Sequence, residues 1–223
     1  MIDNNVGNGD GTVGTEGIFS GFALWLVPSS SSSFSAVVKE EMVKLRNRNQ
    51  GVASAEFGIH ATLLAGLGDR KISGQRLEEV AREAIAQWRQ EEGLIEGKGF
   101  KVNLEDVTTR GSYFQCILIT LQKSTPLLRL NSITQSLVDQ NFPPPSPAAD
   151  SDYFPHISLL YASLSTSQAE SQIKDMHIHG VFQTNPPNGI NFRGFTEVTF
   201  VAVDVYDCTG KPEDWRKLYS IPL

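Results

Sequence analysis

The chain carries very little cysteine: Cys116 and Cys208 are the only two in 223 residues. That excludes a disulfide-stapled scaffold, and their separation suits no zinc motif. Both stand in apolar, strand-like runs, so they are expected as buried free thiols. Long hydrophobic runs are also missing. The longest early one, Phe22 to Val27, is far too short to span a bilayer. The N-terminus has neither the basic start nor the apolar core of a signal peptide. These absences lead to the expectation of a soluble cytoplasmic protein with no membrane partner. Positive charge is in deficit as well, with 19 Lys and Arg against 25 Asp and Glu, a net charge of −6 and a pI near 5.2. That balance argues against long nucleic acid as a partner, while a small anion held in a local pocket stays compatible with it. No glycine-rich strand–GxxxxGK[ST]–helix phosphate loop is present.

What remains is ordinary globular composition, 40% hydrophobic and 20% charged, on a chain long enough for one sizeable core. Residues 1–17, rich in Gly, Asn and Asp, are expected to be a disordered or loosely attached extension. The rest, 18–223, reads as a single domain. Its expected order is a strand at Phe22–Val27, a flexible serine loop at 29–33, and a helix from Ser35 to about Arg48. A strand from about Glu56 to Leu64 and a helix from Gly74 to Glu92 follow. Next come strands Phe100–Thr109 and Tyr113–Leu121, joined by a hairpin turn at Arg110-Gly111-Ser112. A helix from Pro126 to about Asp139, a stiff proline loop at about 142–152 and a strand at His156–Tyr161 complete the middle. The chain ends in a short helix from Thr166 to about Met176 and β-structure over Gly194–Asp207.

Histidine is scarce too, at four residues, and two of them share a context. His60-Ala61-Thr62-Leu63 recurs as His156-Ile157-Ser158-Leu159. Two accidental copies would occur in roughly one such sequence per thousand. On a strand, residues i and i+2 share a face, so each imidazole points the same way as its hydroxyl partner while Ala61, Leu63, Ile157 and Leu159 face a core. Each copy sits between helices, and the separation of 156 − 60 = 96 residues fits a duplicated half-domain. The fold class is therefore α+β: two similar lobes of antiparallel sheet with outer helices around a central cleft. The two strands side by side would supply one cleft with two imidazoles and two hydroxyls. That set moves two protons and steadies an anion, as hydrolysis of a phosphodiester requires. His156 is provisionally the base and His60 the acid. His177 and His179 lack further ligands at metal spacing and read as a solvated pair. Arg110 and Arg193 are phosphate partners by charge alone.

The paired motifs resemble the two-histidine phosphoesterase superfamily. More narrowly, Ala23-Leu24-Trp25-Leu26-Val27-Pro28, Tyr113-Phe114-Gln115-Cys116 and His156-Ile157-Ser158-Leu159-Leu160-Tyr161 resemble the plant and fungal cyclic nucleotide phosphodiesterases. The resemblance runs from about residue 20 to the C-terminus. It implies a bilobal, metal-independent and cofactor-free enzyme. Such an enzyme opens ADP-ribose 1″,2″-cyclic phosphate to the 1″-phosphate and nucleoside 2′,3′-cyclic phosphates to 2′-phosphates. It also implies His60, Thr62, His156 and Ser158 as the catalytic tetrad, with Trp25 and Tyr161 binding substrate. Trp25 would either stack on the base or serve as a core residue. Strand parity sets Tyr161 on the far face from His156 and Ser158, so a place in the cleft requires a bulge, a twist or the strand end. Two alternatives stand beside this reading: RNA-end processing, and a non-catalytic nucleotide-binding module. The expected partner is a small cyclic phosphate, and the expected state a monomer.

Overall fold

The apolar runs that read as strands pair into one antiparallel sheet, and the amphipathic segments pack on the face that carries the main core. The computed structural model describes residues 19–68, 70–145, 152–185, 187 and 189–223; the 1–17 extension and most of the proline loop lie outside them. The elements are β1 (Phe22–Pro28), α1 (Ser33–Arg48), β2 (Ala61–Leu64), α2 (Gly74–Glu92), β3 (Phe100–Thr108) and β4 (Ile117–Leu121). They continue as α3 (Thr125–Asn141), β5 (His156–Leu160), α4 (Thr166–Ile178), β6 (Phe182–Thr184), β7 (Ile190–Phe192), β8 (Glu197–Asp207) and β9 (Arg216–Pro222).

Strand order in the main sheet is β1-β2-β5-β4-β3-β8-β9, and β1 also pairs with β8. The pairing therefore closes on itself, with β9 hanging from the second half of β8. The ring divides into two antiparallel walls, β2-β1-β8 and β5-β4-β3. Strand–helix–strand units β1-α1-β2 and β4-α3-β5 occupy matching places in the two walls, as the repeat predicts. The third strands are exchanged: β3, from the first half of the chain, lies beside β4, and β8 lies beside β1. At the ring's closure Gly99, with φ +65°, backs onto β8; a Cβ there would sit 2.3 Å from the Phe200 carbonyl oxygen. Only glycine fits both that conformation and that approach.

Leu24, Leu26, Leu63, Ile157, Leu159, Val203 and Val205 face the main core, where α1, α2 and α3 bury Val38, Leu77, Trp88 and Leu130. Trp88 links two of these helices by donating its indole N–H to the Pro126 carbonyl (2.8 Å). The opposite face carries a smaller cluster of Ala23, Trp25 and Cys208, with Phe19, Ala65, Tyr206 and Trp215 packed against it.

Several boundaries differ from expectation for physical reasons. The serine run is an ordered helix start: Ser32 caps α1 through the Ser35 amide (3.1 Å), and the Ser29 carbonyl accepts from the hydroxyls of Ser32 and Ser35 (2.8 and 2.7 Å). Residues 56–60, expected as the start of the second strand, belong to an extended connection over 54–60 before β2. The turn expected at 110–112 is a longer link that includes a 3-10 turn at Tyr113–Gln115. α4 runs through His177, and His179 caps it, its Nδ1 meeting the Asp175 carbonyl at 2.7 Å. Both cysteines are buried free thiols. Burial pushes the Cys116 thiol up to about 11 and that of Cys208 higher still.

Candidate active site

β2 and β5 lie side by side, with Ala61 opposite Ile157. One step each way along that antiparallel register sets Thr62 opposite His156 and His60 opposite Ser158. The four motif residues thus form a crossed square on the face away from the main core. All four predicted tetrad members are brought together.

The two imidazoles are held in the same manner. His60 Nδ1 meets the Gly58 carbonyl at 2.7 Å, and His156 Nδ1 meets the Phe154 carbonyl at 2.9 Å. A carbonyl only accepts, so each Nδ1 carries the hydrogen, and Nε2 is the basic nitrogen of each neutral ring. The rings are largely covered: His60 is 5% exposed, His156 8% and Ser158 4%. Burial pushes His60 down to about 3, against the pull of the Gly58 hydrogen bond, and charge on His156 lowers it further. The hydroxyls differ. Ser158 Oγ donates to the Phe114 carbonyl (3.1 Å), whereas the Thr62 hydroxyl, partly buried, has no hydrogen bond among the described residues.

A β-bulge follows the hydroxyl in each motif. Leu24 and Trp25 face Leu64 and Thr62, which leaves Leu63 as an extra residue; Ile117 and Leu118 face Leu160 and Ser158, which leaves Leu159 as the extra one. A bulge inverts the side-chain alternation beyond it. Tyr161 is thereby turned to the histidine face, where its hydroxyl lies 3.5 Å from His60 Nε2 and its ring stacks on Phe57 (centroids 3.8 Å, 12°). This resolves the parity conflict in favour of the cleft. The matching position in the first half, 161 − 96, is Ala65.

Trp25 stacks on His60 (3.6 Å, 7°), and its other face is covered by Tyr206 (3.7 Å, 23°). Neither face is left for a base, so Trp25 is placed as a backing for the imidazole. Arg110 lies over the Phe154 ring (4.5 Å), which in turn leans on His156 (5.1 Å), giving it the positional link to the site that charge alone did not supply. Arg193 is engaged by Glu40 and the buried Glu41 of α1. A cavity of about 550 Å³ lies between α1, the 54–59 connection and β8; Gly58 and Tyr206 border it, and no tetrad member does. Tyr206, Phe57 and Trp215 were not singled out from the sequence. Tyr206 follows the β8 alternation, and nothing local marks Trp215. Among the described residues, no group of three or more His, Cys, Asp or Glu converges as metal ligands, and no helix is long and apolar enough to cross a membrane.

A family profile described as "cyclic phosphodiesterase-like protein" matches residues 20–223. No curated protein matches the chain. Among solved structures, E. coli LigT complexed with 3'-AMP is similar over 92% of this chain and 98% of its own, at 16% identity and a TM-score of 0.52. A structure described as a phosphoesterase covers the same shares at 16% identity and a TM-score of 0.49. At that identity the LigT likeness speaks for the fold, and the profile match speaks for the family. With the paired motifs converging on one face of that fold, the chain belongs to the cyclic phosphodiesterase-like family of two-histidine phosphoesterases.

Proposed function

We propose that the protein hydrolyses ADP-ribose 1″,2″-cyclic phosphate and nucleoside 2′,3′-cyclic phosphates, giving 1″- and 2′-phosphates, as a monomer with no metal or other cofactor. The observation that carries this reading is the matched pair of imidazoles, each with its Nδ1 hydrogen fixed on the carbonyl two residues upstream and a hydroxyl opposite it across the strand pair. Water attacks phosphorus in line with one ester bond. One Nε2 takes the water's proton, the P–O3′ bond of a nucleoside cyclic phosphate or the P–O2″ bond of the ADP-ribose compound breaks, and the other imidazole returns a proton to the departing ribose oxygen. Thr62 donates to a non-bridging oxygen as charge builds there, and Ser158 does the same after its hydroxyl turns from the Phe114 carbonyl.

The roles are the reverse of the provisional assignment. Burial keeps His60 neutral, which suits a base, and leaves the proton-delivering role to His156. The net charge of −6 favours small cyclic phosphates over RNA ends. Phosphorus NMR of the pure protein with chelator, ADP-ribose cyclic phosphate and the four cyclic mononucleotides tests the reading. The expected products are the 1″-phosphate and 2′-phosphates only. His60→Ala and His156→Ala are each expected to lower kcat at least about a hundredfold. No turnover, or unimpaired turnover in either variant, overturns it. Faster turnover of oligonucleotides ending in a cyclic phosphate than of mononucleotides favours RNA-end processing instead.

A further inference from the structure

A nucleobase held by π stacking needs an aromatic face, and Trp25 has none to give. Trp215 does. It follows the 3-10 turn Pro212–Asp214 and stands half-buried at the site, its indole N–H donating to the Gly210 carbonyl (3.3 Å). The strand-like bridge between Phe19 and Gly210 fixes that segment to the start of the domain. Four rings surround Trp215: Phe19, Trp25, Phe114 and Tyr161, with centroids at 6.1, 5.7, 5.8 and 6.1 Å. Their planes lie at 71°, 65°, 30° and 65° to the indole. Among the described residues, none lies flat on it.

Trp215 also spans the two walls. Trp25 belongs to one, while Phe114 and Tyr161 border the other. Each route leads to the same catalytic atom: Trp25 stacks on the His60 ring, and the Tyr161 hydroxyl is 3.5 Å from its Nε2. A base resting on Trp215 would therefore stand one ring away from a phosphate at His60, the place a ribose fills in a nucleoside cyclic phosphate.

We propose that Trp215, edged by Phe19 and Phe114, is a nucleobase-binding subsite, which rests on the cyclic phosphodiesterase reading above. It selects nucleoside cyclic phosphates over cyclic phosphates without a base, and purines over pyrimidines because their larger rings stack more strongly. Stacking of this kind is sequence-tolerant, so all four bases bind.

The test compares wild type, Trp215→Ala and Trp215→Phe on the adenosine and cytidine 2′,3′-cyclic phosphates and on glycerol 1,2-cyclic phosphate. In Trp215→Ala, KM for the adenosine compound is expected to rise about tenfold or more. The cytidine compound is expected to lose less, KM for the glycerol compound to change by less than about twofold whatever the change in its kcat, and Trp215→Phe to retain most of the affinity. Equal losses on all three substrates, or none, overturn the subsite. Because the alanine variant could fail to fold, tryptophan fluorescence is also titrated with 2′-AMP in wild type and Trp215→Phe. Quenching in wild type that largely disappears in Trp215→Phe supports the subsite, and undiminished quenching overturns it. Absence of turnover by wild type removes the cyclic phosphodiesterase reading, and the titration still decides whether a base rests on Trp215.

Discussion

At the scale of single residues, near-identical motifs are furnished unequally. The backing ring Trp25 takes the register place that Leu118 takes on the other side, and Tyr161 answers to Ala65. His60 therefore has an indole beneath it and a phenol at Nε2, and neither the Leu118 nor the Ala65 position supplies such a ring to His156. Opening one ester bond of a ring phosphate and not the other requires such inequality. Trp25→Leu is expected to lower kcat about tenfold or more with KM changed by less than about threefold, since the indole holds the His60 ring, the proposed base, and stacks on no base of a nucleotide; steady-state kinetics separates the two parameters. A rise in KM alone would return Trp25 to the substrate. The lowered proton affinity of His60 also sets the pH profile. Since kcat/KM reports the free enzyme, its acid limb is expected well below pH 6, toward the value of about 3 held by burial. A limb at the usual histidine value, near 6.5, would show that His60 is not the base. The tetrad was legible because a period of two carries imidazole and hydroxyl to one face. Tyr161 was legible only through the resemblance, because parity rules assume a regular strand.

Secondary-structure elements were legible where local chemistry acts alone. Ser73 caps α2 through the Arg76 amide (3.3 Å), and Gly93 ends it in the left-handed region at φ 65°, so both ends are written in sequence. β9 left no pattern to read: it is mostly exposed and is held by backbone pairing to β8. The short hairpin of β6 and β7 offers three residues a strand, too few to show a period. The paired bulges at Leu63 and Leu159 arise from tertiary register, which no single strand encodes. Gly99 tests the ring's closure. Gly99→Ala must hold a side chain at φ +65° against the Phe200 carbonyl, and is expected to cost about 1–3 kcal/mol. Differential scanning calorimetry should record a lower Tm, while KM stays within about twofold of wild type because the closure lies outside the tetrad. An unchanged Tm would mean that the approach at 99 is readily relaxed.

Across the whole molecule, the buried His60 makes stability depend on acidity. The unfolded chain protonates His60 near pH 6.5, whereas the folded ring refuses that proton until about pH 3. Its contribution is complete above pH 6.5 and is lost as the pH falls toward 3. One proton is worth about 1.4 kcal/mol per pH unit, so roughly 2 kcal/mol is lost between pH 6.5 and pH 5. Urea unfolding at those two pH values is expected to show a smaller drop for His60→Gln than for wild type; parallel behaviour would assign the acid sensitivity to other groups. Duplication was visible in the sequence as two motifs, but the exchange of β3 and β8 was not, because nothing in a strand names its neighbour. That exchange has a consequence for dividing the polypeptide. Severed at Arg110-Gly111-Ser112, the N-terminal fragment keeps β3 without β4 or β8, and the C-terminal fragment keeps β8 without β1 or β3. Each piece holds what the other lacks, so hydrolysis should return only on mixing the two.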